Sequence, residues 1–310
     1  MLINLSVNPT YLCNFRCNFC YLTVDQLSHK KKINLNHLKE KLTEIAGIYT
    51  INDIDLYGGE IGMLPDDYLN ELMDLLKSSG KRVNIITNLS LMKPIFYDPE
   101  IELSVSWDSD LRQSSEVVLK NIINIKRDVS ILMLVSKSMT EWSDAVLLNT
   151  INQLNNVQNI ISVELKPYSQ NQANQEHLGF NDFENFVKRW LNLELNFQFI
   201  NKEKLEQVLS GSANSFSDDH LYITPNGNYA VLDFDKNDYE FFKELNSLSE
   251  YFDWMNLEKM KVSNNKFCSN CKYLGHCLSE HLRHVENLNN SCNGFYNLIE
   301  WYKEKNAKRI

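Results

Sequence analysis

Six short apolar runs alternate with amphipathic stretches from residue 2 to about 168, and this alternation constrains the fold more than any other feature. The runs fall at 3–7, 54–57, 83–86, 101–105, 129–135 and 161–165. Between them, 37–48, 66–79, 115–125 and 144–154 carry apolar residues at helical spacing. Strand, helix, strand builds parallel pairs, because each parallel crossover needs a long connection. The pattern predicts an α/β fold whose parallel strands form a sheet or a partial (β/α)6 barrel. Pro65 with Asp66 and Asp67 marks one helix start, and Gly80 its end. A further helix over 181–193 is expected to close this first domain, 1–211.

The pattern changes after residue 211. Gly211-Ser212-Ala213-Asn214-Ser215 reads as a loop. Two β-rich runs then flank Pro225-Asn226-Gly227, and Asn-Gly is a strong hairpin signal. A smaller cysteine-rich domain is expected over 212–302, followed by a charged tail, 303–310.

Composition removes several function classes. Acidic residues outnumber basic ones, 40 to 31, for a net charge of −9. No basic patch suited to nucleic acid stands out. No apolar run reaches the length of a membrane span, and the N-terminus lacks the pattern of a signal peptide. The expected location is the reducing cytoplasm.

The seven cysteines form two groups separated by a long cysteine-free middle. In a reducing compartment such grouping argues for metal ligation over disulfides. The first group is Cys13-Asn14-Phe15-Arg16-Cys17-Asn18-Phe19-Cys20, directly after the first strand. Chemistry in parallel α/β folds gathers at the C-terminal ends of strands. Soft thiolates select zinc or iron–sulfur clusters, and three of them leave one metal position open. By spacing alone a zinc site with a remote fourth ligand, or three core thiols, stays open.

CxxxCxxC with Phe19 before its last cysteine resembles the signature loop of the radical S-adenosylmethionine (SAM) superfamily. The resemblance implies that Cys13, Cys17 and Cys20 hold a [4Fe–4S] cluster whose fourth iron binds SAM. One electron then breaks a C–S bond, and the resulting 5′-deoxyadenosyl radical takes hydrogen from a substrate. Tyr57-Gly58-Gly59-Glu60, at the end of the second strand, resembles the family's GGE motif for the SAM amino group. Glycine admits close backbone approach, and a carboxylate suits an ammonium group. Thr87 and Asn88 resemble a TNG-like segment, with Leu89 where glycine is usual. Ser106 and Asp108 resemble an SxSxD-like segment that would reach the ribose, or else they cap the next helix.

The second group, Cys268, Cys271, Cys277 and Cys292, can close a zinc site or fully ligate a cluster. With its hairpin, it resembles the SPASM extension of radical SAM maturases. Leu232 and His281 stand where that pattern has cysteines, and loop 211–217 has none. The resemblance therefore implies one auxiliary [4Fe–4S] cluster instead of two. His276, His281 and His284 read as surface or hydrogen-bonded residues.

The expected activity is radical modification of a ribosomally made peptide. The alternatives are a small metabolite (sugar, aminocyclitol or nucleoside) and a non-catalytic protein with two metal sites. Flavodoxin or ferredoxin is the implied electron donor. Only residues 1–12 precede Cys13, so a separate protein would supply any leader-binding function. Lys166 and Tyr168, at the mouth of the sheet, and Tyr222 and Asp233, near the domain junction, are candidates for catalytic groups. Asp235 belongs with them.

Overall fold

The computed structural model describes residues 1–110, 112–167, 178–216, 218–232, 241–279 and 292–307. In chain order the elements are β1 (Leu2–Val7), α1 (Val24–Ser28), α2 (Leu35–Ala46), β2 (Thr50–Leu56), α3 (Asp66–Ser79), β3 (Arg82–Thr87), β4 (Glu102–Ser106), α4 (Ser115–Asn124) and β5 (Val129–Leu134). Then follow α5 (Lys137–Thr140), α6 (Asp144–Asn155), β6 (Ile160–Lys166), α7 (Phe180–Trp190), β7 (Gln198–Phe199), α8 (Ile200–Ser210), β8 (His220–Ile223), β9 (Tyr229–Leu232), β10 (Phe242–Leu245), α9 (Leu248–Asn264) and α10 (Tyr296–Ala307). Strands β1 to β7 lie side by side in sequence order, all parallel. All six expected strands and the helices between them are present, in a parallel-strand partial barrel.

The strands alternate in a way that parallel sheets covered on both faces do not. One face carries Leu5, Val7, Ile54, Leu56, Val83, Ile85, Val105, Ile131, Met133 and Val163, all buried. It belongs to one core with Leu38, Leu42, Leu72, Leu76, Val118, Ile122, Ile151 and Leu154 of the helices. The other face carries Ser6, Asp55, Asn84, Ser104, Ser130, Ser162 and Glu164. These side chains join across strands. Asn84 Nδ2 donates to Asp55 (2.8 Å), Ser104 Oγ to Asn84 (3.0 Å), and Ser162 Oγ to Ser130 (2.8 Å). Helices thus cover the apolar face, while the polar face lines the concave side.

Gly80 ends α3 as expected, but not in a left-handed conformation. A Cβ there would meet Ile54 at 2.8 Å, so glycine admits the close return onto β2. In the hairpin, Gly227 does take the left-handed region (φ 84°), as its turn requires. The hairpin continues the main sheet: β8 pairs parallel with β1, and β9 and β10 follow antiparallel.

Helix α10 packs back on the first 211 residues. Tyr302 Oη donates to Glu206 (3.0 Å), Lys305 Nζ donates to the Leu191 carbonyl (3.0 Å), and Phe295 stands 5.0 Å from Phe183. The stretch expected as a tail is therefore helical up to Ala307, and 308–310 lie outside the described residues. Among the described residues no helix is long and apolar enough to cross a membrane.

Candidate active site

The three-cysteine loop leaves the C-terminal end of β1 and is fixed mostly by its own backbone. Cys13 N donates to the Leu27 carbonyl (3.0 Å), and Cys20 N to the Cys17 carbonyl (3.1 Å). The Cys13 and Cys20 sulfurs accept from the N–H groups of Phe15 and Leu22, both at 3.4 Å. Arg16 Nη1 staples the Cys13 and Phe15 carbonyls at 2.7 Å each. Thr23 then starts α1 with a capping box completed by Gln26.

Gly58 and Gly59 hold this loop against the end of β2. Gly59 N donates to the Thr10 carbonyl (2.9 Å), and Glu60 N to the Leu12 carbonyl (2.8 Å). A Cβ on Gly58 would fall 2.3 Å from the Thr10 oxygen, and one on Gly59 2.2 Å from the Leu12 oxygen. The two glycines are therefore required by the cysteine loop itself, before any ligand is considered.

Glu60 is 1% exposed and joins the next strand end to this assembly. Its Oε1 accepts from Thr87 Oγ1 (2.5 Å) and Gly62 N (2.8 Å), and its Oε2 from Asn88 N (2.7 Å). Burial pushes its carboxyl above the usual range, and these three donors pull the other way. Asn88 Nδ2 donates to Asn14 (3.1 Å) inside the cysteine loop. Leu89 takes the left-handed conformation (φ 50°) where glycine was the expectation, with its side chain fully buried. Ser106 ends β4 half-buried, and Asp108 follows, 1% exposed.

Burial dominates the thiols. It pushes Cys13 and Cys20 up to about 11 and Cys17 in the same direction. Cys13 also feels Glu60, Cys20 and Cys17 as like charges, so the three sulfurs share one electrostatic environment.

Residues 7–105 match the Radical SAM superfamily. The matched stretch holds the three-cysteine loop, Gly58-Gly59-Glu60, Thr87 and Asn88. A protein of Methanocaldococcus jannaschii, named as a glycyl-radical enzyme activating enzyme, is 26% identical over 156 residues. That match covers 49% of this chain and 59% of the relative. Among solved structures, native anSMEcpe with bound AdoMet and a Cp18Cys peptide aligns over 100% of this chain and 99% of its own. Its TM-score is 0.67 at 14% identity. Streptococcus suis SuiB bound to S-adenosylmethionine aligns over 95% of this chain and 75% of its own, with TM-score 0.62 and 15% identity. At such identities the structural likeness speaks for the fold alone.

Four tyrosines stand beside the three-cysteine loop: Tyr11, Tyr21, Tyr57 and Tyr222. Tyr11, Tyr21 and Tyr57 pack around the buried group of Tyr222, Ala230, Leu232, Phe241 and Phe242. Tyr21 lies 4.6 Å from Phe241, and Tyr222 lies 5.2 Å from Phe242. Burial raises the Tyr21 and Tyr57 phenols well above their usual value. The available signal was position: Tyr21 follows Cys20, and Tyr57 precedes Gly58. Arg112 is a second omission; it lies four residues after Asp108 and binds it. Lys166 is 3.5 Å from Glu164, which Lys204 holds at 2.5 Å, so it sits in an ion-pair cluster on the concave face. Tyr168, Asp233, Asp235, His281 and His284 lie outside the described residues.

The second cysteine group surrounds a small pocket lined by Cys268, Cys271, Cys277, Cys292 and mainly apolar neighbours. Burial pushes Cys268 up to about 11, and the other three thiols add to it. A Cβ on Gly294 would fall 2.7 Å from the Cys277 sulfur. Ser215 of the loop at 211–217 is fully buried, and its Oγ accepts from Cys277 N (3.2 Å). Among the described residues, no three His, Cys, Asp or Glu side chains are arranged to hold a single metal ion. A tetrahedral zinc site would need its sulfurs within about 3.8 Å of one another.

Proposed function

We propose that this chain is a radical SAM enzyme that modifies a peptide, using one cluster on Cys13, Cys17 and Cys20 and a second on Cys268, Cys271, Cys277 and Cys292. The observation that carries the reading is the docking of a three-thiol loop on Gly58-Gly59-Glu60 at the mouth of a polar concave sheet face. Three thiols leave one metal position for a ligand, whereas four close the site. When bound, the cluster and SAM supply a carbon radical that removes a hydrogen atom from the substrate.

The chain's own residues bind and shield. The Glu60 carboxylate has three donors and room for one more, which suits an ammonium group. Thr87 and Asn88 aim it. Ser106 offers a hydroxyl at the same mouth, and the tyrosine wall keeps water from the loop. Phe19 packs beneath the loop between Cys17 and Cys20. At the second site, four thiols lining one mainly apolar pocket would hold the second cluster.

A peptide substrate is suggested by the fold shared with anSMEcpe, solved with a peptide, and with SuiB, solved with its precursor peptide SuiA, of which the aligned region spans 73%. A small polar metabolite is the second reading, favoured by the hydrogen-bonded polar face of Asp55, Asn84 and Ser104. A flavodoxin or ferredoxin would supply the electron, and a separate protein any leader-binding function.

The test is iron, sulfide and SAM cleavage in anaerobically reconstituted protein. Two clusters give about eight irons per chain, falling to about four in the Cys13→Ala/Cys17→Ala/Cys20→Ala variant, which also loses SAM cleavage. Zinc without iron would sink the reading. Mass change in a short peptide encoded beside this gene, or in sugar or nucleoside candidates instead, decides the substrate class.

A further inference from the structure

One charged side chain beside the cysteine loop has no role in the reading above. Arg112 is only 11% exposed on its side chain. Its backbone N–H and its Nε each donate to Asp108, both at 3.0 Å, to different carboxylate oxygens. Its guanidinium lies over the Phe19 ring at 5.0 Å. Phe19 sits between Cys17 and Cys20. Among the described residues, Nη1 and Nη2 of Arg112 have no hydrogen-bond acceptor. A nearly enclosed guanidinium with one edge and one face committed, and two amino groups left over, is arranged for negative charge beside it.

That charge has a source at hand. The fields of Cys17, Cys20 and Glu60 all reach Arg112, and it opposes the effect of burial on each of them. Asp108 neutralises only part of the problem, since the pair stands beside the Cys17 and Cys20 sulfurs, which become anionic when they bind iron.

Resting on the radical SAM reading, we infer that Asp108 and Phe19 hold Arg112 as a fixed cation against the Cys17–Cys20 side of the loop, where it stabilises the reduced state of the cluster. Asp108 is then a positioning residue: both of its oxygens serve Arg112. The physical basis is that adding an electron makes the cluster more negative. A nearby cation favours that state, and cluster potentials respond to nearby charge and solvent access.

The experiment is a potentiometric titration followed by electron paramagnetic resonance on the reconstituted full chain. The second site is emptied by Cys268→Ala/Cys271→Ala, so that one cluster is read. Arg112→Gln is expected to lower the ratio of reduced to oxidised cluster about tenfold at fixed potential, equivalent to about 59 mV for one electron. Arg112→Lys restores most of the ratio. An unchanged ratio in Arg112→Gln with full iron overturns the inference. If Arg112→Gln loses its iron, Arg112→Lys decides: wild-type iron and ratio support a charge role, and their loss overturns it. A parent protein that binds no N-terminal cluster would instead overturn the reading of the site.

Discussion

The two cysteine groups use the same ligand atom in opposite surroundings. The first lies in a loop whose sulfurs accept backbone N–H bonds, with a buried carboxylate, an arginine and a polar sheet face around it. The second lines a pocket of mainly apolar side chains, Phe267, Leu274, Tyr296 and Ile299 among them, where the Cys277 sulfur accepts from Ser215 and the Ser279 N–H. Charged neighbours stabilise changes of charge and orient a polar ligand; a mainly apolar lining does neither. The difference argues that chemistry belongs to the first group and electron transfer or support to the second.

Glycine substitutions break the comparison most sharply. Gly59→Ala places a methyl 2.2 Å from the Leu12 oxygen, which belongs to backbone that cannot swing aside. We expect loss of N-terminal iron and of SAM cleavage, with destabilisation of about 3 kcal/mol or more, and second-site iron retained. Iron counts and a thermal melt check this; a variant that loads both sites normally would contradict the docking. Gly294→Ala is the mirror experiment. Its methyl meets the Cys277 sulfur at 2.7 Å, so second-site iron should fall while SAM cleavage by the first site persists.

Glu60 gives the pH-dependent contrast. Burial holds its carboxyl above the usual carboxylate range, so the folded chain keeps this proton to higher pH than the unfolded chain. Its stability contribution is complete below the unfolded value of about 4.3 and is lost as pH rises through the raised folded value. Glu60→Gln removes that titration and weakens the links to Thr87 and Asn88, at a cost of roughly 2 kcal/mol. Urea unfolding across the window should show the wild-type advantage shrinking as pH rises; a constant difference would count against a shifted Glu60.

Ser215→Ala should have the smallest effect, about 1 kcal/mol, because it removes the acceptor of the Cys277 N–H and the hydroxyl contact to the Cys277 sulfur. The prediction is a slightly lower melting temperature with second-site iron intact. Loss of that iron would show that the hydroxyl positions a ligand.

The parallel core was legible because strand–helix alternation is a one-dimensional pattern and each short crossover forces neighbouring strands together. The cysteine loop and Gly-Gly-Glu were legible because they are contiguous. Other features required contacts between distant segments. Gly59 read as a ligand-approach glycine, yet its partners are Tyr11 and Leu12 on another strand end. Ser215 read only as a missing cysteine, and its link to Cys277 spans 62 residues. Arg112 was passed over because nothing in its neighbourhood announces Phe19, which precedes it by more than 90 positions. The sequence by itself determined which residues alternate, where ligands cluster and how many thiols each site offers. Only the tertiary structure decided what surrounds those thiols, because charge and burial are properties of neighbours in space.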